Sequence, residues 1–377
     1  MSYYKLADFI SLRKGKKQSE CLNSDDNAVR YIQIDDLRND DNLKFTNDEK
    51  KVLINEKDVL IAWDGANAGT IGFNLNGSIG STITAIKINE DFSNKVSAIY
   101  LGLFLRSKEK YLRERATGAT IPHIQKDSLL ELLLPLPSLS TQTQIAKILD
   151  KSTALIAKRK AQIAELDTLV QSVFLEMFGD PITNPKKLPK VELSELGIWK
   201  SGGTPSRANK AFFTGNIPWI TSGELETLYI EDSKEHISEE AVQETAVKEI
   251  EIGSILLGMY DTAGLKSSIT SEVVTCNQAI AFAKLDDDKV NTIFVYYCIQ
   301  QQKSHLLKQQ RGVRQKNFNL SMIKEINVLY PNLNLQTQFA QIVEKIQTQK
   351  SQLQQSLAEL EIQHQALMQR AFRGELV

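Results

Sequence analysis

The sequence predicts an α+β protein: two tandem, pseudo-repeated domains of α/β type, each followed by a long helix, with the two helices pairing as an antiparallel coiled coil. Three observations predict it. The chain repeats itself once without a gap, two long segments free of Pro and Gly carry a heptad stripe, and the stretches before them are related runs of short strand-like segments. A chain of 377 residues, 42% hydrophobic and 24% charged, has room for two ordinary domains. The boundaries read as a first domain over 1–140, a central helix over 141–179, a second domain over 180–334 and a C-terminal helix over 335–377.

A shift that carries Pro137 onto Pro331 lays PSLSTQTQIAKILDK on PNLNLQTQFAQIVEK, and the register continues to Phe178 on Phe372. Repeats of this kind decide the architecture before any local reading does. Both copies lack Pro and Gly, from Thr141 to Phe178 and from Gln336 to Phe372, and are rich in Ala, Leu, Gln, Lys and Glu, so each reads as one continuous helix. Leu149, Ile156, Ile163, Val170 and Met177 recur every seven residues, with Leu166 and Val173 between them; Ile346, Leu353, Leu360 and Leu367 do the same in the second copy. That is a coiled-coil seam, interrupted by the polar Arg159, Lys350 and His364. With two such helices, the simplest arrangement pairs them with each other; the alternative packs each only on its own domain.

In the domains, Tyr4 to Asp8 corresponds to Val191 to Glu195, the strand from Tyr31 to Ile34 to that from Pro218 to Thr221, and Asp58 to Ile61 to Gly253 to Leu256. Gly118 answers Gly312 in the register of the helices. Gly, Asn and Asp punctuate these runs as turn residues do.

The net charge of −1 argues against coating nucleic acid through bulk positive charge. Its distribution leaves basic faces possible: no acidic residue lies between Glu195 and Glu224, or between Asp288 and Glu325. The longest apolar run, Leu129 to Leu139, is broken by Glu131, Pro135 and Pro137, and the first ten residues lack a signal-peptide pattern, so a cytoplasmic protein without membrane contact is expected. Cys21, Cys276 and Cys298 are too far apart for a zinc or redox pair and read as ordinary thiols, and no metal site is expected.

Several motifs in order, Gln142-Thr143-Gln144-Ile145-Ala146, Phe178-Gly179-Asp180-Pro181, Ser201-Gly202-Gly203-Thr204-Pro205-Ser206 and Gly215-Asn216-Ile217-Pro218-Trp219-Ile220, make the chain resemble the specificity subunits of Type I restriction-modification systems over nearly its whole length. The first domain departs from the pattern, with Arg30-Tyr31-Ile32-Gln33 where the second has Ile-Pro-Trp. The resemblance implies that each domain reads one half of a bipartite, asymmetric target in double-stranded DNA. It further implies that the helices set the spacer and dock two methyltransferase subunits, and that restriction and translocase subunits join the full complex. S-adenosylmethionine and ATP with Mg would then belong to those partners, and no cofactor to this chain. A helix from Thr141 to Phe178 spans roughly 55 Å, enough to separate two readers by a turn or more of duplex at about 35 Å per turn.

Reading bases needs forked or planar polar groups on loops, and holding phosphates needs cations. In the first domain the candidates are Arg13, Lys14, Lys16, Lys17, Asn67, Thr70, Ser81, Thr82, Thr117, Thr120 and His123. In the second they are Ser201, Thr204, Ser206, Arg207, Tyr260, Thr262, Asn277, Gln278, Arg311, Arg314, Gln315, Lys316 and Asn317. The lysines read as phosphate holders, and Arg311, Arg314 and Asn317 as the foremost base readers. Trp63, Trp199 and Trp219 fit the core better than a stacking role. No catalytic residue is expected: the chain lacks a cofactor-binding Gly-rich turn, an Asn/Asp-Pro-Pro-aromatic motif and a phosphate loop. A coiled-coil protein adaptor without DNA binding and a nuclease with an unrecognised site are the competing readings.

Overall fold

The computed structural model describes residues 2–39, 41–118, 120–260, 264–309 and 317–376. The chain forms two units, Met1–Lys160 with Gln355–Val377, and Ala161–Gln354.

In the first unit, β1 (Ser2–Lys5), β2 (Ile10–Lys14), β3 (Val29–Ile32), β4 (Phe45–Thr46), β5 (Leu53–Ile54), β6 (Val59–Ala62), β7 (Ile71–Phe73), β8 (Gly77–Ile79) and β9 (Ile83–Ile88) precede α1 (Ala98–Ser107), α2 (Glu109–Glu114), α3 (Lys126–Leu130) and β10 (Leu133–Leu136). The strands make sheets ordered β2-β9-β6-β7 and β4-β3-β8-β5 and a ribbon of β1 with β10. Strand β6 is buried on both faces because it separates two cores. Val59 and Ile61 face the cluster built on Tyr100, Phe104 and Leu134, while Leu60 and Ala62 face Ile32, Leu37 and Ile79. Alternate side chains of a strand point to opposite faces, so a continuous apolar run is what such a position requires.

The helix α4 (Leu139–Phe178) leads into the second unit, with β11 (Lys190–Glu192), α5 (Leu193–Leu196), β12 (Lys200–Ser201), β13 (Ile217–Ile220), β14 (Tyr229–Ile230), β15 (His236–Ile237), α6 (Glu239–Glu244), β16 (Ile255–Gly258), β17 (Ser267–Thr270), β18 (Thr275–Cys276), β19 (Ile280–Ala283), α7 (Thr292–Leu306), α8 (Leu320–Lys324), β20 (Asn327–Leu329) and α9 (Leu333–Arg373). Its sheets run β12-β19-β16-β17-β14 and β15-β13-β18, with β11 on β20. The order repeats that of the first unit with two differences: β14 is an added edge strand, and the place of β5 beside β8 is taken by a single bridge between Ile250 and Val274. Even the parallel pair inside the second sheet of each unit recurs, β3 with β8 and β13 with β18.

The structure corrects two of the sequence correspondences by one residue. Ala62 pairs with Ile83 as Gly258 pairs with Ile280, so Val59 matches Ile255, not Ser254. Gly80 N donates to Ile32 O and Asn277 N to Ile220 O, both at 3.0 Å, so Ile32 matches Ile220 and Tyr31 matches Trp219. A one-residue shift turns every side chain of a strand to the other face; the corrected register puts two buried aromatics in one place. The match of Leu6 with Leu193 holds, each amide donating at 3.0 Å to Leu132 O or Ile326 O.

The repeated Gln-Thr-Gln motif has a structural reason. Gln142 and Gln336 are fully buried. Each carboxamide oxygen accepts, at 2.9 Å, from the backbone of the residue capping the preceding helix, Ser97 N before α1 and Asn291 N before α7. Their amide groups donate to Lys95 O and Pro137 O in one case and Pro331 O in the other.

Each unit holds one half of each long helix, and in each unit the halves run antiparallel. In the first, Leu149 shares a core with Met368 and Ala371, Ser152 bonds His364 at 3.1 Å, and Lys160 pairs with Glu361 at 2.8 Å. In the second, Asp167 pairs with Lys350 at 2.5 Å, and Phe174 and Phe178 pack on Phe339. Among the seam residues Leu149, Val170 and Ile346 are buried, and Ile156, Ile163, Leu166, Val173, Leu353, Leu360 and Leu367 half-buried. The polar seam residues Lys350 and His364 thus have partners on the facing helix. Helix α4 ends at Gly179, whose φ of 77° is the left-handed conformation glycine adopts without strain.

Candidate nucleic-acid interface

Backbone hydrogen bonds stitch four loops of the first unit together. Gly15 N donates to Ile83 O at 2.9 Å, Trp63 N to Thr82 O at 2.8 Å, Gly65 N to Pro122 O at 2.9 Å, and Ile124 N to Trp63 O at 3.0 Å. The end of β2, the β6–β7 and β8–β9 connections and the loop before α3 therefore meet at one place. Gly15 is needed there because a Cβ would lie 2.2 Å from Gly80 O.

At the centre is Asp64. Its Oδ1 accepts from His123 Nδ1 at 2.6 Å and its Oδ2 from Lys14 Nζ at 2.9 Å. Partial burial pushes the carboxyl up, but the hydrogen bonds from His123 and Lys14 and the charge of Lys14 outweigh it and hold Asp64 below the usual carboxylate range. Arg13, Lys14, Lys16, Lys17, Ser81, Thr82, Thr117, Thr120 and His123 are exposed around it. Asn67 and Thr70 differ from the rest. Both accept from Arg38, at 2.9 and 3.2 Å, and Thr70 is 4% exposed, so Thr70 shapes the loop from beneath instead of presenting a polar surface. Thr117 accepts from Gln125 Nε2.

The second unit repeats the stitching. Gly202 N donates to Ile280 O at 3.1 Å, Met259 N to Ala279 O at 2.8 Å, and Phe318 N to Met259 O at 2.7 Å. Gly202 matches Gly15, so Thr204 stands where Lys17 does, and Gly80 matches Asn277, so Gln278 stands where Ser81 does. Thr204, Ser206, Tyr260 and Gln278 are exposed, and Ser201, Asn277 and Asn317 half-buried. Asn277 Oδ1 accepts from Ala279 N at 3.1 Å. Arg207 forms a two-bond ion pair with Glu235, at 2.9 and 2.6 Å, and lies over the rings of Phe213 and Trp219 at 4.4 and 5.3 Å. Thr262, Arg311, Arg314, Gln315 and Lys316, with Gly312, lie outside the described residues.

Trp199 and Trp219 are core residues, donating through Nε1 to Leu193 O and Gly203 O; Trp63 is half-buried against the first core. Cys21 is half-buried, while burial pushes the Cys276 and Cys298 thiols up to about 12. Among the described residues no group of three His, Cys, Asp or Glu is placed to hold a metal ion, and no helix is long and apolar enough to cross a membrane. Sequence reasoning passed over Arg38, Asp64 and Glu235, whose partners lie 28 or more residues away in the chain.

Two copies of one fold, each joining corresponding loop ends by matching backbone bonds and carrying its own set of polar side chains there, define a tandem recognition protein. The model of the Type I restriction modification DNA specificity domain matches residues 1–167 and again residues 185–362. The chain therefore belongs to the family of that DNA specificity domain. It is 32% identical to the Type I restriction enzyme MjaVIII specificity subunit of Methanocaldococcus jannaschii over 195 residues, 51% of this chain and 45% of that one. It is 27% identical to the EcoR124I/EcoR124II specificity subunit of Escherichia coli over 232 residues, 59% of this chain and 56% of that one. The chain thus spans about half the length of these curated relatives. The S subunit of a Type I system from M. genitalium superposes with a TM-score of 0.61 at 14% identity, covering 98% of this chain and 96% of that chain. A chain from a structural study of complex assembly in the type I R-M system superposes at 0.64 with 16% identity, covering 100% and 98%. Both share the fold.

Proposed function

We propose that this chain is the specificity subunit of a Type I restriction-modification complex, a non-catalytic reader of double-stranded DNA in the cytoplasm. Each unit takes one half of a bipartite, asymmetric target. The paired helices act as the ruler between the halves and dock two methyltransferase subunits, which restriction and translocase subunits join. S-adenosylmethionine and ATP with Mg serve those partners. The observation that carries the reading is the equivalence of the two loop clusters: three matching backbone bonds, made by Gly15 and Gly202, Trp63 and Met259, and Ile124 and Phe318, join corresponding stretches in both units, yet the side chains presented differ. Two like frames with unlike contacts read two unlike half-sites, whereas a symmetric dimer would read a palindrome. The basic rim of the first unit, Arg13, Lys14, Lys16 and Lys17, supplies phosphate contacts that orient the reader without choosing bases.

The test is single-molecule methylation sequencing of cells expressing the chain with a Type I modification subunit. A bipartite asymmetric motif that vanishes when the gene is deleted is the expected result. Absence of any motif, with the modification subunit active and assembled, would favour a protein adaptor instead, and metal-dependent cleavage by the purified chain would favour a nuclease.

A further inference from the structure

The backbone equivalence identifies which side chains stand in the same place in the two units. Trp63 and Met259 each donate to the β8–β9 or β18–β19 connection, and each accepts from the residue just past the loop before α3 or α8, Ile124 and Phe318. The next position on each side forms an isolated antiparallel bridge, Asp64 with His123 and Tyr260 with Asn317. The frame is shared, but the chemistry is not: a carboxylate and an imidazole occupy it in the first unit, a phenol and an amide in the second. Tyr260 is 41% exposed and the His123 side chain 51%.

In the first unit the geometry fixes more. An ionised carboxylate only accepts hydrogen bonds, so the proton in the 2.6 Å contact belongs to His123 Nδ1. With Nδ1 committed to Asp64, Nε2 is the outward polar atom of the ring; in an uncharged imidazole it is an acceptor, and an acceptor recognises the exocyclic amino group of adenine or cytosine in the major groove. Lys14 occupies the second oxygen of Asp64, which holds the carboxylate in place and prevents it from turning outward as a reader itself.

Resting on the reading of the chain as a DNA specificity subunit, we infer that His123 and Asn317 are the equivalent specificity-determining positions of the two half-sites, and that Asp64 is the positioning residue that fixes the hydrogen-bonding polarity of His123. Exchange at one changes one base pair of one half.

The experiment uses the full chain expressed with a Type I modification subunit and reads the methylated motif genome-wide. His123→Asn is expected to change the preferred base at a single position of one half-site, with roughly ten- to hundredfold altered discrimination there, and to leave the other half as in the wild type. Asp64→Ala is expected to relax discrimination at that same position. It also shifts the His123 imidazole nitrogen resonances from the Nδ1-protonated form towards the Nε2-protonated one, a change that a purely structural loop residue would not produce. Should His123→Asn fail to assemble, Asn317→His puts the same expectation to the other half-site. An unchanged motif in an assembled His123→Asn or Asn317→His complex overturns the inference, as does a change spread over both halves. Failure of the wild-type complex to give any bipartite motif would instead defeat the reading on which the inference rests.

Discussion

Replacing Gln142 by Ala removes a side chain that is 0% exposed and makes three hydrogen bonds, accepting from Ser97 N and donating to Lys95 O and Pro137 O. Ser97 contributes no side-chain cap to α1, so Gln142 supplies the polar closure of that helix start. A hydrogen bond contributes about 1 kcal/mol net and a buried group left unmatched costs about 1–3 kcal/mol; with water reaching some of the freed groups, the expected loss is about 2–4 kcal/mol. Tenfold in an equilibrium corresponds to about 1.4 kcal/mol, so the amides of α1 should exchange about 30- to 1000-fold faster with solvent deuterium. The control is Gln336→Ala, which should transfer the effect to α7, because Gln336 bonds Asn291 N in the same way. Local exchange is the right assay, since a chain of two units need not unfold in one step. If Gln142→Ala leaves the exchange of α1 unchanged, or loosens α1 and α7 alike, the assignment of the repeated glutamine as a local closure is wrong.

Gly202→Ala should destabilise the second unit by several kcal/mol, and Gly15→Ala the first, because the added Cβ meets backbone carbonyls at 2.2–2.3 Å; thermal melts of the two variants check it, and a shift in Tm under about 2 °C would refute it. Burial, and then the charge of Arg106, hold the His364 imidazole below its ordinary value. Its contribution to helix pairing is thus complete above the unfolded value near about pH 6.5 and lost as pH falls through the lower folded value. His364→Leu should abolish that loss, and a wild-type stability profile that stays flat between about pH 7 and pH 5 would count against it. Seven residues added after Ala164 together with seven after Leu353 should lengthen the spacer of the methylated motif, and an unchanged spacer would show that the helices are not the ruler.

The long helices, their pairing and the order of domain and helix were legible because they rest on local grammar and on repetition. Absence of Pro and Gly permits a rod, a seven-residue stripe demands a facing partner, and a gapless repeat needs no contact to be seen. The four loops of each unit were found as turns rich in Gly and polar residues, but that they meet is a property of strand pairing over long separations. The register of β6 against β16 was misjudged by one residue because four consecutive apolar side chains look the same under a shift of one; only the ladders with β9 and β19 separate the choices. Thr70 resembled an outward loop residue until Arg38, 32 positions earlier, was found donating to it. Asp64, Lys14 and His123 gather from three separate stretches of chain, and no spacing in the sequence joins them. The sequence by itself determined the architecture, since periodicity and repetition are written along the chain. Only the tertiary structure decided which polar groups stand together, because hydrogen bonds between distant residues depend on distance in space and not on distance along the backbone.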